Sequence, residues 1–363
     1  MANRRPVTAA VVAATALVVA LVIVMARGRL YAPAVSSVDA MPIIATRVET
    51  APDEPGTLAP YAGLGAWLDA FDYSPAYGPN GEPALDAGVT VEEMDAAGVK
   101  TIFIQATRFS SRTAGLLEDE WVLADILLRA HQRDMDVVAW YLPALDDRAE
   151  DTERIAAMRD FSVLGHRFDG VAIDIEADPE PTPEELERRN AALLNISAFT
   201  RDAASGMPVG AIVLPPPLIE EVNEQFWPEF PWLDVSEFYD VWLPMSYWSG
   251  RSDASGYGDG YAYSLESIRR IRERIDQPNA PVHGIGGIGG VAGERDFTAA
   301  EILASIDDYP LFAQSLADAG AIGGSIYDWN TQDEHARQSM QIAFMRGAAA
   351  NLPAAPDWVP AEG

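Results

Sequence analysis

The chain contains no cysteine, which excludes disulfide scaffolds, thiolate metal sites, cysteine nucleophiles and a lipid-bearing cysteine anchor. Four histidines make a histidine-rich zinc site a poor fit, and neither a metal nor a cofactor is expected. Basic groups are scarce. There are 25 Lys and Arg against 55 Asp and Glu, a net charge of -30, and Lys100 is the only lysine. Residues 1–30 hold Arg4, Arg5, Arg27 and Arg29 and no acid, so the remainder carries 21 basic and 55 acidic groups, a net of -34. Such a surface repels phosphate backbones and anionic lipid heads, so nucleic acid is not a partner.

What is present is a globular composition, with 48% hydrophobic and 22% charged residues. The 363 residues suit one large domain or two small ones and are too many for a single small all-β module.

Val7 to Met25 is an uncharged run of 19 residues, long enough to cross a hydrocarbon core as a helix. Arg4 and Arg5 before it favour an N-terminus left in the cytoplasm and a chain exported beyond the membrane. Residues 1–30 therefore read as a signal anchor, or as a signal peptide cleaved near Ala32-Pro33-Ala34. The proline-bearing stretch 31–58 reads as a linker, 59–347 as the folded domain, and 348–363 as a C-terminal tail. The barrel is expected to be membrane-anchored outside the cytoplasm, or secreted.

From Gly63 onward, short apolar runs alternate with helical patterns. The runs are 63–69, 100–106, 136–142, 169–176, 208–214, 240–247, 281–286 and 321–328. Each gap accommodates a crossover helix with two loops. Thr90 with Glu93, Thr182 with Glu185, Thr298 with Glu301 and Thr331 with Glu334 have the spacing of capping boxes, and Pro183 suits a first helical position. Leu123, Ile126, Leu127 and Ala130 supply an apolar stripe. Strand then helix, eight times over, predicts an α/β fold of the (β/α)8 TIM-barrel type, with a doubly wound open sheet as the alternative. In such a barrel, function is read from the carboxyl ends of the strands.

The fourth run, Asp169 to Glu176, is the most informative. Side chains alternate along a strand, so Val171, Ile173 and Ile175 share one face while Ala172, Asp174 and Glu176 share the face toward the axis. Two acids on an inward face are costly to bury, and ionising one raises the pKa of the other. A carboxyl that keeps its proton near neutrality is what a general acid needs. Glu176 is the expected proton donor, with Asp174 tuning it. The alternative is a pair of hydrogen-bonded structural acids at the barrel mouth.

This segment resembles the fourth-strand signature D-G-x-D-x-D-x-E of family 18 glycoside hydrolases, the chitinase-like enzymes. Asp169, Gly170, Asp174 and Glu176 match, while Ala172 replaces the middle aspartate. Met245-Ser246-Tyr247-Trp248 resembles the family's Met-x-Tyr-Asp, with Trp248 in place of the aspartate. Trp329 after the eighth run is similar to the tryptophan that floors the family's sugar pocket. The resemblance implies a divergent glycosidase barrel in which Glu176, Asp174 and Tyr247 carry the chemistry. The departures at Ala172 and Trp248 count against the family's use of the sugar's acetamido group.

Further carboxylates lie at Asp328 after the eighth run and at Asp69 and Asp72 after the first; a salt bridge to Arg108 or Arg251 is the alternative reading of each. Trp67, Trp140, Tyr141, Tyr247, Trp248 and Trp329 cluster at strand ends, as platforms for sugar rings would, or as core filling. Gln105 and Arg108 end the second run and suit hydroxyl or carboxylate contacts. Met245 joins them as a candidate substrate contact. Gly284 to Gly289 spells a dinucleotide-like G-x-G-x-x-G, but no helix start follows it, so close backbone approach to a ligand or loop movement is expected instead. Three functions stay open: a hydrolase acting on an extracytoplasmic polysaccharide, a carbohydrate-binding barrel without turnover, and a metal-assisted hydrolase using Asp174, Glu176 and Asp178.

Overall fold

In the computed structural model, residues 56–358 are described, except 147, 178–179, 205, 250–254 and 289–298. The apolar run 7–25, Asp178, Arg251 and Thr298 lie outside the described residues. Among the described residues no helix is long and apolar enough to cross a membrane.

Eight strands form one parallel sheet. They are β1 (Gly63–Leu68), β2 (Thr101–Arg108), β3 (Asp136–Leu142), β4 (Gly170–Ile175), β5 (Val209–Val213), β6 (Val241–Pro244), β7 (His283–Gly287) and β8 (Gly323–Tyr327). Their order is β7-β8-β1-β2-β3-β4-β5-β6, and β8 pairs with β1 in parallel. Parallel bridges Trp242–Val282 and Met245–Ile285 join β6 to β7 and close the circle. Ser246 N donates to Ile285 O at 2.8 Å across the same seam. The sheet is a closed (β/α)8 barrel, not an open doubly wound one.

Alternation along the strands separates two cores. Outward-facing Ile102, Ile104, Val137, Ala139, Val171 and Ile173 pack under the helices. Inward-facing Trp67, Phe103, Val138, Ala172, Ile212 and Leu243 fill the axis. Helix Glu120–His131 buries Leu123, Ile126, Leu127 and Ala130, the stripe predicted. Helix Pro183–Ala203 opens with the Thr182–Glu185 capping box and Pro183 in its first turn. Two other expected boxes are absent. Helix Ala87–Ala96 is capped by Asp86, leaving Thr90 within it, and helix Glu334–Met345 is capped by Asp333. An aspartate four residues before Thr90, and one two residues after Thr331, competes successfully for the free N–H groups.

The lower end of the barrel is plugged. Tyr61 donates its hydroxyl to Val171 O at 2.5 Å and contacts Pro208 O at 3.2 Å. His283, fully buried, bonds Tyr61 O through Nδ1 and Ser325 Oγ through Nε2, both at 2.9 Å. Gly65 leaves room for this plug, since a Cβ there would stand 2.5 Å from the Phe103 ring and 3.0 Å from His283. Residues 348–358 are not a free tail. Asp357–Trp358 pairs antiparallel with Gly56–Thr57, and Trp358 joins the axial core with Leu58. An apolar tryptophan near a chain end gains by covering the open end of the barrel.

Candidate active site

At the carboxyl ends of the strands lies an open-mouthed cleft of about 210 Å³. Its walls are acidic on one side and aromatic on the other. β4 contributes Asp174 and Glu176, β1 contributes Trp67 and, just beyond it, Asp69 and Phe71, and β2 contributes Gln105 and Arg108. Trp140, Met245, Tyr247 and Tyr327 complete the polar and aromatic lining, with Leu142, Ile212 and Ile285 between them.

The two β4 acids differ in environment. Asp174 is 7% exposed, and its Oδ1 has no hydrogen-bond partner among the described residues. Burial first, then the neighbouring Glu176 charge, pushes its pKa well above the usual carboxylate range, against the smaller opposing field of Arg108. Glu176 is also raised, by desolvation, because protein surrounds the mouth. Its side chain nevertheless meets solvent in the cleft, so its shift is the more screened of the two. Asp174 lies the deeper of the two, and burial together with the Glu176 charge favours its protonated form.

Tyr247 faces both acids. Burial, then the charges of Glu176 and Asp174, raise its hydroxyl well above its usual range, keeping it a neutral donor. Trp67 forms the floor, stacked on Phe103 at 4.5 Å and donating Nε1–H to Ser325 Oγ at 2.6 Å. Trp140 meets it edge-on at 5.9 Å, and the Trp140 Nε1–H has no partner among the described residues. Gln105 accepts from Ala70 N at 3.0 Å, which ties the residues after β1 to the wall.

On the other side, Asp69 caps the short helix Ala70–Tyr73 and accepts from Phe71 N at 2.8 Å and from the Tyr327 hydroxyl at 2.9 Å. Behind it lie two buried acids, neither of them lining the cleft. Asp72 is pushed up to about 8 by burial and then by Asp69 and Asp328. Asp328 is pushed up to about 6, mainly by burial, and accepts from Thr331 N at 2.9 Å. The expectation that Asp328 reaches substrate is not met, since its side chain turns into the loop that follows.

Three aromatics expected at the cleft lie elsewhere. Tyr141 follows the cleft-lining Trp140, so alternation turns it outward, where it bonds Asp151. Trp248 likewise follows Tyr247 and packs outside the barrel against Phe312 at 5.4 Å and Tyr309 at 6.2 Å. Trp329 is buried with the Arg337 guanidinium 4.5 Å from its ring and does not floor the pocket. The β7 glycines serve packing rather than a ligand. A Cβ on Gly284 would meet Leu316 at 2.5 Å, and one on Gly286 would meet Trp248 at 2.5 Å.

Phe71 and Tyr327 were not singled out in the sequence. Tyr327 was legible, since it alternates with inward Ser325. Phe71 lies beyond the strand, where periodicity gives no signal. No cluster of three or more metal-ligating side chains exists among the described residues.

No family model matches the sequence, and no curated protein does. Solved structures do resemble the fold. An endo-1,4-beta-mannanase from Rhizomucor miehei has a TM-score of 0.55 at 12% identity, covering 82% of this chain and 99% of its own. A class V chitinase from Pseudomonas fluorescens Pf-5 has 0.51 at 11% identity, covering 78% and 99%. A family 18 chitinase from Cycas revoluta, solved in complex with (GlcNAc)3, has 0.51 at 11% identity, covering 78% and 100%. At these identities the likeness is one of fold, a (β/α)8 barrel.

Proposed function

We propose that the protein is a glycoside hydrolase acting on an extracytoplasmic polysaccharide, with Glu176 as general acid. The observation that carries this reading is the placement of Asp174 and Glu176 together on the inward face of β4, at the bottom of an aromatic-walled cleft. The pair holds a proton above the ordinary carboxylate range, and Glu176 is the member within reach of a ligand. It gives that proton to the glycosidic oxygen as the bond to the anomeric carbon breaks. Water adds to that carbon and returns a proton to the pair. Tyr247 offers its neutral hydroxyl to position the water or the intermediate, and Asp174, with an unbonded oxygen, is poised to hold a polar substituent beside the reacting carbon.

The cleft is smaller than the ~300–1,000 Å³ of drug-sized pockets, which fits one sugar ring seated deeply with its neighbours along the open mouth. Trp67 and Trp140, almost wholly buried, give the cleft an apolar floor beneath that ring. The apolar run 7–25 supports a location outside the cytoplasm, either anchored or secreted.

A carbohydrate-binding barrel without turnover is the second reading. Ala172, apolar and buried beneath Asp174, favours it, since no carboxyl stands there to pass charge along the strand. A glycan array followed by hydrolysis assays on wild type and Glu176→Gln separates the two. Turnover by wild type, with binding but no turnover by the variant, supports the hydrolase. Binding without turnover by both proteins supports the second reading, and no glycan bound by either overturns both.

A further inference from the structure

One cation stands in a cleft that is otherwise acidic and aromatic. Arg108 ends β2 and lines the cavity beside Asp69 and Phe71. Its guanidinium lies 4.8 Å from the centre of the Phe71 ring and 5.8 Å from that of Tyr77, and these rings meet edge-on at 4.8 Å. Its only hydrogen bond among the described residues runs from Nε to Ser110 Oγ at 3.2 Å. It forms no ion pair among them, although Asp69, Asp174 and Glu118 feel its field. The two terminal nitrogens are neither bonded nor buried, so the planar fork is held by stacking and its donors face solvent. Phe71, 46% exposed, presents an open ring face at the same place.

A stacked guanidinium with an unused fork is shaped for bidentate contact with a planar anion. The adjoining ring suits a sugar face. The neighbouring acids do not use up the charge, because burial favours the protonated form of Asp174 and raises Asp69. The net charge of -30 disfavours a dense polyanion.

We infer that Arg108 and Phe71 form a subsite for a carboxylate-bearing sugar, so that the glycan taken is a largely neutral chain with a uronic-acid-type residue beside the cleavage point. This rests on the glycan-cleft reading above and specifies its substrate class.

The test uses the full chain with Glu176→Gln, so that bound glycans persist. The probes are oligosaccharides with one uronic acid residue, each paired with its carboxyl-reduced counterpart, and the readout is the ratio of the two dissociation constants. The acidic member should bind about tenfold tighter or more. Adding Arg108→Gln should bring the ratio to within about twofold of unity. Adding Phe71→Ala should weaken both members and, by releasing the guanidinium stacked on that ring, lower the ratio. A ratio near unity in the Glu176→Gln protein, or a preference that survives Arg108→Gln, overturns the inference while leaving the glycan cleft standing. If no member of any pair binds, the glycan cleft and the inference fall together.

Discussion

Asp174 and Glu176 leave the same face of the barrel two residues apart, the first deep in the cleft and the second open at its mouth. Burial raises the cost of ionising both, and the charge of Glu176 adds to the cost for Asp174. With Glu176 as the proposed general acid, turnover should fall as pH rises through its elevated range. Asp174→Asn removes the deeper acid while keeping its shape. Its basic limb should stay close to that of wild type, because desolvation is what raises Glu176. A pH–rate profile of kcat/KM checks this, and a basic limb moved to lower pH would show that a charge on Asp174 also bears on Glu176.

Tyr247 brings a hydroxyl to the same place, with no hydrogen bond to it from a described residue and its ring 6.1 Å from that of Tyr327. Tyr247→Phe deletes one oxygen and keeps the packing. We expect kcat to fall about 10- to 1,000-fold, as for removal of one well-placed donor, with KM little changed. Thermal unfolding of the variant should match wild type. A large loss in KM alone would reassign Tyr247 to ground-state binding.

Asp72 makes a prediction about stability. Its pKa rises from 3.8 to about 8 on folding, so between those values the folded chain keeps a proton that the unfolded chain has lost. Stability from this group is therefore fully present below pH 4 and drains away as pH climbs toward 8, by several kcal/mol in the limit. Asp72→Asn keeps an acceptor for Asp69 N, which bonds Asp72 Oδ2 at 3.0 Å, and removes the titration. The variant should melt several degrees above wild type at pH 8, at about 2–4 °C per kcal/mol, and close to it at pH 4. Scanning calorimetry at the two pH values decides it.

The barrel was legible because its signals are periodic. The eight apolar runs coincide with β1–β8 to within a few residues at each end. Alternation on β4 put Asp174 and Glu176 on the inner face correctly. The same rule, applied strictly, forbids Trp140 and Tyr141, or Tyr247 and Trp248, from sharing the cleft, and the structure obeys it. Clustering of aromatics near strand ends is thus a weaker guide than their parity. Loop residues were less legible: Phe71 and the stacking of Arg108 depend on a turn after β1 whose path no repeat encodes. The acids behind Asp69 depend on β8 lying beside β1, a contact between residues some 260 positions apart.

His283 gives the opposite pH slope from Asp72 and tests the plug of the barrel. Both ring nitrogens are occupied, one by Tyr61 O and the other by Ser325 Oγ, and burial lowers the pKa to about 4. The folded chain thus refuses a proton that the unfolded chain accepts below about 6.5. Stability from this group is intact above pH 6.5 and is lost as pH falls toward 4, by roughly 3 kcal/mol. His283→Gln keeps a polar group of similar reach that does not titrate. It should cost stability at pH 7, where the fitted imidazole is lost, yet flatten the decline in Tm between pH 6.5 and 4. If wild type and the variant lose Tm in parallel over that interval, the acid sensitivity of the barrel arises elsewhere and His283 is merely a filler of the axis.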